Sequence, residues 1–522
     1  MHMITGTEYC RTLQLSSEAA TEDFAREISL FARVGDVITL AGDLGTGKTT
    51  FARAFIRALS PSNAGREVPS PTFTLVQTYD DTRLPVAHFD FYRVVDPAEV
   101  PELGFPGLSD TMVVLAEWPD RAEAFLPPHR LEIDLDDGDD ESSRELTLTG
   151  FGDWAERAQR MEIVSAFLDA GGHGASTRTF LQGDASARRY ERIWPAGEKS
   201  VPLILMDSAK TPDGPPVRDG LPYSQIAHLA ESVTAFAAID HGLREVGLCA
   251  PEIFVSDLEA GLLVIEDLGG EVYQDLVRAG EADMRAPYRA AVDVLVKLAQ
   301  CTLPETIALQ EGLEHRVPAY DDGALEIEVE LLLDWYWPAV YGGAASREDR
   351  ERFFAIWRAL WPRLNCHQTV WCLRDYHSPN LIWRADETGL SRVGIIDFQD
   401  AVLGHPAYDL GSLLFDARVD VDAETERSML KYYMEQRLRA DERFDESAFE
   451  ECYAILAAQR LTKILGIFMR LKQRDGKPGY LQHVPRLWGY LERVLQAPVL
   501  EDLRAWFNEA FPENARKVDL GV

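Results

Sequence analysis

At 522 residues the chain is longer than one hydrophobic core supports, and length alone allows two to four domains. Its 46% hydrophobic and 26% charged residues exclude wholesale disorder and leave apolar material for more than one core. A net charge of −34, from 52 Lys+Arg against 86 Asp+Glu, repels polyanions and argues against unaided nucleic-acid binding. The six cysteines, Cys10, Cys249, Cys301, Cys366, Cys372 and Cys452, are scattered without a C-x-x-C or a zinc pattern, as expected of thiols in a reducing compartment. The first thirty residues carry Arg11, Glu18, Glu22, Asp23 and Arg26 and lack an apolar signal region, and no later stretch approaches ~18 uninterrupted apolar residues. A cytoplasmic protein that engages no membrane is expected.

Two domains are expected, 1–157 and 163–510. Up to about residue 155 short apolar runs such as Val37-Ile38-Thr39-Leu40 and Met112-Val113-Val114-Leu115 alternate with helix-length segments, the pattern of buried parallel strands in an α/β domain with a central, mainly parallel sheet. Leu131, Ile133 and Leu135 then alternate with polar residues, an acidic run follows at 136–143, and Leu146 and Leu148 alternate again, which reads as a hairpin with a solvated acidic turn. Helical periodicity from Phe151 ends at Gly171-Gly172-His173-Gly174, with the domain boundary near residue 157. Short strands return from Phe180 to Asp207, a helix is expected over Tyr223–Val246, and strands over Glu252–Val255 and Leu262–Glu266. After residue 283 the chain reads helical except for a strand-rich patch near 370–398. A small strand-rich lobe followed by a large helical one is the outline of a two-lobed, kinase-like α+β fold.

Residues 42–49 read Gly42-Asp43-Leu44-Gly45-Thr46-Gly47-Lys48-Thr49, a complete G-x-x-x-x-G-K-[ST] between a strand and the helix-like Thr50–Leu59. Backbone N–H groups of such a loop curl around phosphates, Lys48 reaches the β/γ-phosphates of ATP, and Thr49 supplies an oxygen to Mg²⁺. Two carboxylates stand at the ends of expected strands, Asp90 in His88-Phe89-Asp90-Phe91-Tyr92-Arg93 and Glu117 before Trp118, where an open α/β sheet faces its nucleotide. With Ser70-Pro71-Thr72-Phe73-Thr74-Leu75-Val76, these motifs resemble, in order and spacing, the ATPase subunit of bacterial threonylcarbamoyladenosine biosynthesis. The resemblance implies that Thr49 and Asp90 serve Mg²⁺, that Ser70–Thr74 sense nucleotide, and that Glu117 acts catalytically with Trp118 over the phosphates. It also implies that Thr50 joins the nucleotide site and that the partners are the catalytic and scaffold subunits that modify adenosine 37 of tRNA.

Further on, Leu373-Arg374-Asp375-Tyr376-His377-Ser378-Pro379-Asn380 precedes Ile395-Ile396-Asp397-Phe398 by a strand's length. Phosphotransfer needs one Asp to orient the acceptor hydroxyl, an Asn five residues on and a second Asp for metal, here Asp375, Asn380 and Asp397. Asp409-Leu410-Gly411 is placed to brace that loop. Gln182–Tyr190, including Ser186 and Arg188, is a candidate phosphate loop, and Glu266-Asp267-Leu268-Gly269 a candidate adenine hinge or a plain turn. Together these resemble the aminoglycoside-phosphotransferase-like superfamily over roughly 163–500. Within it they look most like the cell-wall-recycling kinase of N-acetylmuramate and N-acetylglucosamine. Leu373 replaces a common His, and Leu203–Asp207 lacks the usual phosphate-binding lysine, leaving Arg188 or Arg189 for that charge. Glu328, Trp335 and Tyr336 on an expected helix 326–337 are candidate contacts for an amino sugar, or core residues with one ion-paired Glu. Arg460, Lys463 or Arg470 would suit an acidic sugar. An antibiotic or choline kinase, and a purely assembly-directed N-terminal module, remain alternatives.

Overall fold

The computed structural model describes residues 8–60, 65–140, 142–181, 188–197, 201–210, 213–279, 285–366 and 369–521. The chain forms two compact units, Met1–Asp207 and Ser208–Val522. The first is built on strands β1 (Glu8–Leu15), β2 (Val37–Ala41), β3 (Val76–Tyr79), β4 (Val86–Asp90), β5 (Val113–Glu117), β6 (Arg130–Asp137) and β7 (Arg144–Phe151), in the order β1-β7-β6-β2-β5-β4-β3. The neighbours β6, β2, β5 and β4 run parallel, while β1, β7 and β3 pair antiparallel at the edges. The sheet is thus parallel at its centre and mixed overall. Helices α1 (Glu18–Phe31), α2 (Lys48–Ala58) and α3 (Asp153–Ala170) complete this part.

The parity of β4 explains how one strand serves both core and site. Ala87 and Phe89, with Phe91 beyond the strand, pack with Val37, Val114, Ala116 and Phe105 in one cluster, and the rings of Phe89 and Phe91 lie 5.4 and 5.6 Å from that of Phe105. Successive strand residues point to opposite faces, so His88 and Asp90 fall on the other side. The register of β4 on β5 sets Asp90 opposite Glu117. The acidic hairpin forms as expected, with β6 and β7 paired from Arg130↔Phe151 to Asp137↔Arg144.

The first compact unit runs on to Asp207. Strands β8 (Thr177–Leu181), β9 (Arg189–Trp194) and β10 (Leu203–Asp207) form an antiparallel meander inside it. The second unit opens with the short pair Pro216–Arg218/Leu221–Pro222 and the one-turn helix Tyr223–Ile226, continues with helix Val233–Glu245 and the hairpin Ile253–Asp257/Leu262–Glu266, and then becomes mainly helical. Short antiparallel pairs, Val370–Cys372 with Val402–Gly404 and Leu381–Trp383 with Val393–Ile395, carry the expected catalytic segment. A 30-residue helix, Glu446–Asp475, is long and apolar enough to cross a membrane, but its apolar window is 89% buried inside the protein.

That helix crosses Asp322–Leu331 at Gly466, where a Cβ would stand 2.3 Å from the Leu331 carbonyl carbon. One and two turns earlier on the same face lie Lys463 and Gln459. Both reach Glu328, which has no exposed surface: Lys463 Nζ donates at 2.6 Å and Gln459 Nε2 at 2.9 Å. Arg374 and Tyr320 add their own hydrogen bonds. Burial by itself would raise the Glu328 pKa, but Lys463 and Arg374 hold it down at about 2. Since the folded value lies below the ordinary carboxylate range, this stabilisation is complete above pH about 4.5 and is lost as pH falls towards 2. Glu328→Ala strands two buried cations and is expected to cost about 3–5 kcal/mol in urea unfolding. Glu328→Gln should lose less and flatten the pH dependence of stability between those limits, and an unchanged acid slope would contradict the pairing.

Candidate nucleotide sites

In the first unit, Leu44, Gly45, Gly47, Lys48, Thr49, Thr50, Ser70, Thr72, Asp90, Tyr92, Glu117 and Trp118 line one cleft of about 330 Å³. The phosphate loop turns because Gly42 takes φ +123°, with a phantom Cβ 2.2 Å from the Leu135 carbonyl oxygen, and because Gly47 starts α2 at φ +109°. Lys48 donates to the carbonyls of Gly42 and Asp43 at 2.8 and 2.6 Å, with its Nζ 4.1 Å from the centre of the Trp118 ring. Burial pushes its ammonium below the usual lysine range, against the pull of Glu117, Asp90 and Asp43. Thr46 packs its hydroxyl on the Asp43 carbonyl.

Thr49 Oγ1 donates to both oxygens of Glu117, at 3.0 and 3.1 Å. Asp90 accepts from Thr72 Oγ1 at 2.6 Å and from the Tyr92 N–H at 2.9 Å, tying the Ser70–Thr74 loop to the end of β4. The sequence reading gave His88 no role, yet it is fully buried with Nε2 2.9 Å from Glu117 Oε1. The parity of β4, which puts His88 and Asp90 on one face, was the available signal. Arg144, also unassigned from sequence, donates from β7 to the Thr46 carbonyl at 3.0 Å. The hydroxyl of Thr49 with two carboxylates is an all-oxygen set of the hardness Mg²⁺ prefers. Among the described residues no group of three or more His, Cys, Asp or Glu could hold a metal.

In the second unit the Asn380 carbonyl accepts from the Ile396 N–H at 3.1 Å, and this brings the expected trio together. Asn380 Nδ2 donates to the Asp375 carbonyl at 3.0 Å and to Asp397 Oδ2 at 3.3 Å, and Gln399 Nε2 reaches Asp397 Oδ1 at 2.9 Å. The Asn380 side-chain oxygen and the Asp397 carboxylate are again donors suited to Mg²⁺. Asp409 accepts from the N–H groups of Leu373 and Arg374 at 2.7 and 2.9 Å, the bracing expected of it, although burial pushes its pKa up to about 7. The Asp375 carboxyl stays 40% exposed, 3.7 Å from His377 Nε2. Burial, with Arg418 and Arg460 nearby, drives His377 well below its usual pKa and keeps it neutral.

Other expected residues are placed as follows. Arg188 stands directly before β9, and Ser186 lies outside the described residues. Arg189, an alternative phosphate cation, is committed to Asp207 at 2.7 Å. Glu266 accepts from the Glu252 N–H at 3.2 Å and faces Arg384 at 3.5 Å, while Leu268 is buried. Of the two readings of the 326–337 helix, sugar contacts or a core with one ion-paired Glu, burial fits the second. Glu328 and Tyr336 have no exposed surface, Glu328 being consumed by its cations and Tyr336 by a hydrogen bond from Trp488 Nε1 at 2.8 Å. A wide π-type turn at Leu332–Tyr336 also breaks the helical register that aligned Glu328 with the half-buried Trp335. Of the cations considered for an acidic sugar, Lys463 is taken by Glu328 and Arg470 lies over the Tyr223 ring. Buried Arg460 keeps one guanidinium nitrogen without a hydrogen-bond partner among the described residues.

Residues 15–146 match the family described as threonylcarbamoyl adenosine biosynthesis protein TsaE, and residues 177–452 match the phosphotransferase enzyme family. The N-acetylmuramate/N-acetylglucosamine kinase of Caulobacter vibrioides is 39% identical over 371 residues, covering 69% of this chain and 99% of that protein. The kinase of the same name from Pseudomonas putida is 32% identical over 340 residues, 63% of this chain and 87% of its own. At the other end, the tRNA threonylcarbamoyladenosine biosynthesis protein TsaE of Bacillus subtilis is 44% identical over 137 residues, 25% of this chain and 80% of that protein. The chain therefore belongs to the phosphotransferase enzyme family, as an ATP-using fusion whose N-terminal domain is a TsaE.

Proposed function

We propose that the chain is bifunctional: the ATPase subunit for threonylcarbamoylation of adenosine 37 in tRNA, and a cytoplasmic kinase of the anomeric hydroxyl of N-acetylmuramate and N-acetylglucosamine. The observation that carries the first half is Lys48, Thr49 and Glu117 lining one cleft, with buried His88 behind Glu117. The Asp375–Asn380–Asp397 constellation, in a chain spanning 99% of a kinase of these sugars, carries the second. The net charge of −34 supports a subunit that meets tRNA through its catalytic and scaffold partners.

In the N-terminal cleft Lys48 leaves its loop carbonyls for the β/γ-phosphates, and Trp118 covers them. Glu117, held by His88, orients the attacking water. Thr49 and Asp90 would hold Mg²⁺, which neutralises phosphate charge. In the kinase reading Asp375 accepts the proton of the anomeric hydroxyl as its oxygen bonds to the γ-phosphorus and the bond to ADP breaks. That hydroxyl is more acidic than an ordinary alcohol, so one carboxylate suffices as base. Asn380 and Asp397 would hold Mg²⁺ against the phosphates. Ser186 and Arg188 are assigned to a phosphate loop, and the backbone at Glu266 and Leu268 to the adenine.

Glu117→Ala should keep ATP binding and lose turnover in the complex reconstituted with partner subunits, since the phosphate cradle remains whole. Hydrolysis at the parental rate would remove Glu117 from the mechanism.

Asp375→Asn is expected to slow sugar phosphorylation ~10²- to 10⁴-fold with little change in ATP affinity. Asp397→Ala should instead weaken binding of the metal–nucleotide complex. The assay is transfer from ATP to N-acetylmuramate, N-acetylglucosamine, kanamycin and choline in parallel, with product position read by phosphorus NMR. Preference for the drug or choline, or phosphate on the 6-hydroxyl, contradicts the sugar 1-kinase reading.

A further inference from the structure

A cavity of about 320 Å³ lies wholly within the second unit, walled by the start of helix Val233–Glu245, the short strand Glu314–Arg316 and the segment that follows Asp397. It adjoins the phosphotransfer groups through Gln399. That side chain is 3% exposed, lines the cavity, and gives its amide nitrogen to Asp397 Oδ1 at 2.9 Å. The carboxylate fixes which end of the amide is the nitrogen, so Oε1 is the acceptor left over, and it has no hydrogen-bond partner among the described residues. His315 Nε2, of a residue on the same wall, likewise has none, and burial lowers the His315 pKa, leaving a neutral imidazole. Two such polar atoms beside one cavity are costly unless something polar occupies it.

The wall is fixed to the reacting residues. Arg374, next to Asp375, donates to the carbonyls of Ala227 and His228 at 2.8 and 3.3 Å, and the Ala230 N–H donates to Asp400 Oδ1 at 2.6 Å. Arg316 and Pro318 line the cavity while Val317 between them is buried, the alternation of an extended strand, so Arg316 falls on the cavity side. It is exposed and makes no ion pair among the described residues. Glu231 is the carboxylate on the same wall, an acceptor suited to hydroxyl groups.

N-acetylmuramate and N-acetylglucosamine share an acetamido group on C2, beside the anomeric carbon, and differ in the lactyl carboxylate that N-acetylmuramate carries on O3. We propose that this cavity takes the acceptor sugar, with Gln399 Oε1 accepting from the acetamido N–H and Arg316 pairing with the lactyl carboxylate. The assignment rests on the kinase reading proposed above. Gln399, held on a candidate metal carboxylate, sets C2 next to the reacting hydroxyl, and an arginine fork matches a carboxylate with two parallel hydrogen bonds.

The test measures KM and kcat of the full chain for each sugar at saturating ATP. Arg316→Gln should raise the ratio of the KM for N-acetylmuramate to that for N-acetylglucosamine by about ten- to hundredfold, as loss of a charge-assisted pair does, and Arg316→Lys should recover part of it. Gln399→Met should erase the preference of the parent for N-acetylglucosamine over glucose, a ratio that weakened metal binding alone would not move. Hydrogen exchange in the parent with saturating N-acetylmuramate should slow in peptides covering 224–235 and 314–318. Protection elsewhere but not there overturns the cavity as the acceptor site, whether or not the variants fold. Active parent and variants with an unchanged ratio overturn the contact that the substitution removes and leave the kinase reading standing. A parent that phosphorylates neither sugar overturns the kinase reading and this assignment with it.

Discussion

Removing a carboxylate from water costs several kcal/mol unless opposite charge and hydrogen bonds replace the water, and the ordering of both candidate sites follows from how that cost is met. Glu328 sits without exposed surface and satisfies itself with Lys463, Arg374, Tyr320 and Gln459. Arg374 precedes Asp375, and its guanidinium also donates to the Ala227 and His228 carbonyls at 2.8 and 3.3 Å. With Asp409 holding the backbone of the same residue, the loop that presents Asp375 is fixed from beneath while the Asp375 carboxyl stays open to solvent. In the N-terminal cleft Glu117 is met by two hydrogen-bonding groups, His88 and Thr49.

Backbone strain is concentrated at the same places. Among the described residues, non-glycine positions with positive φ are Leu75, Trp118, Asp219, His228, Arg374 and Asp397. Leu75 and Trp118 border the nucleotide cleft, and Arg374 and Asp397 flank the phosphotransfer groups. Such conformations cost of order 1–3 kcal/mol each and persist where the surroundings over-determine them. Arg374 is pinned by Glu328 and Asp409, and Asp397 by Asn380 and Gln399. Relaxing either would turn its side chain away from the other members of the set.

The arginines around β8–β10 show the same physics at a boundary between families, with Arg178 of β8 reaching Glu27 of α1 at 2.7 Å and Arg160 of α3 reaching Asp207 of β10 at 2.6 Å. Sequence matching divides the chain between residues 146 and 177, whereas compaction carries the first unit to Asp207. Composition marks a linker by its glycines, and Gly171-Gly172-His173-Gly174 is such a break. It carries no information about which side chains will later need a counter-charge from across it.

Local chemistry was legible from sequence because it depends on short spacing. The phosphate loop needs glycine where a Cβ would strike the Leu135 carbonyl oxygen, the acidic hairpin follows from period-two alternation, and Asp375, Asn380 and Asp397 are joined by one short strand pair. Pairings between distant segments were decided only by the fold. Thr49 meets Glu117 because α2 presents it to the end of β5. His88 gained its role from the face of β4 on which it falls. Which of its two readings Glu328 took, sugar contact or ion-paired core residue, was decided by Gly466, far along the chain, which lets a second helix bring Lys463 against it. Sequence spacing sets which groups share a loop or a strand, but which buried charge meets which partner depends on how separate helices and strands pack.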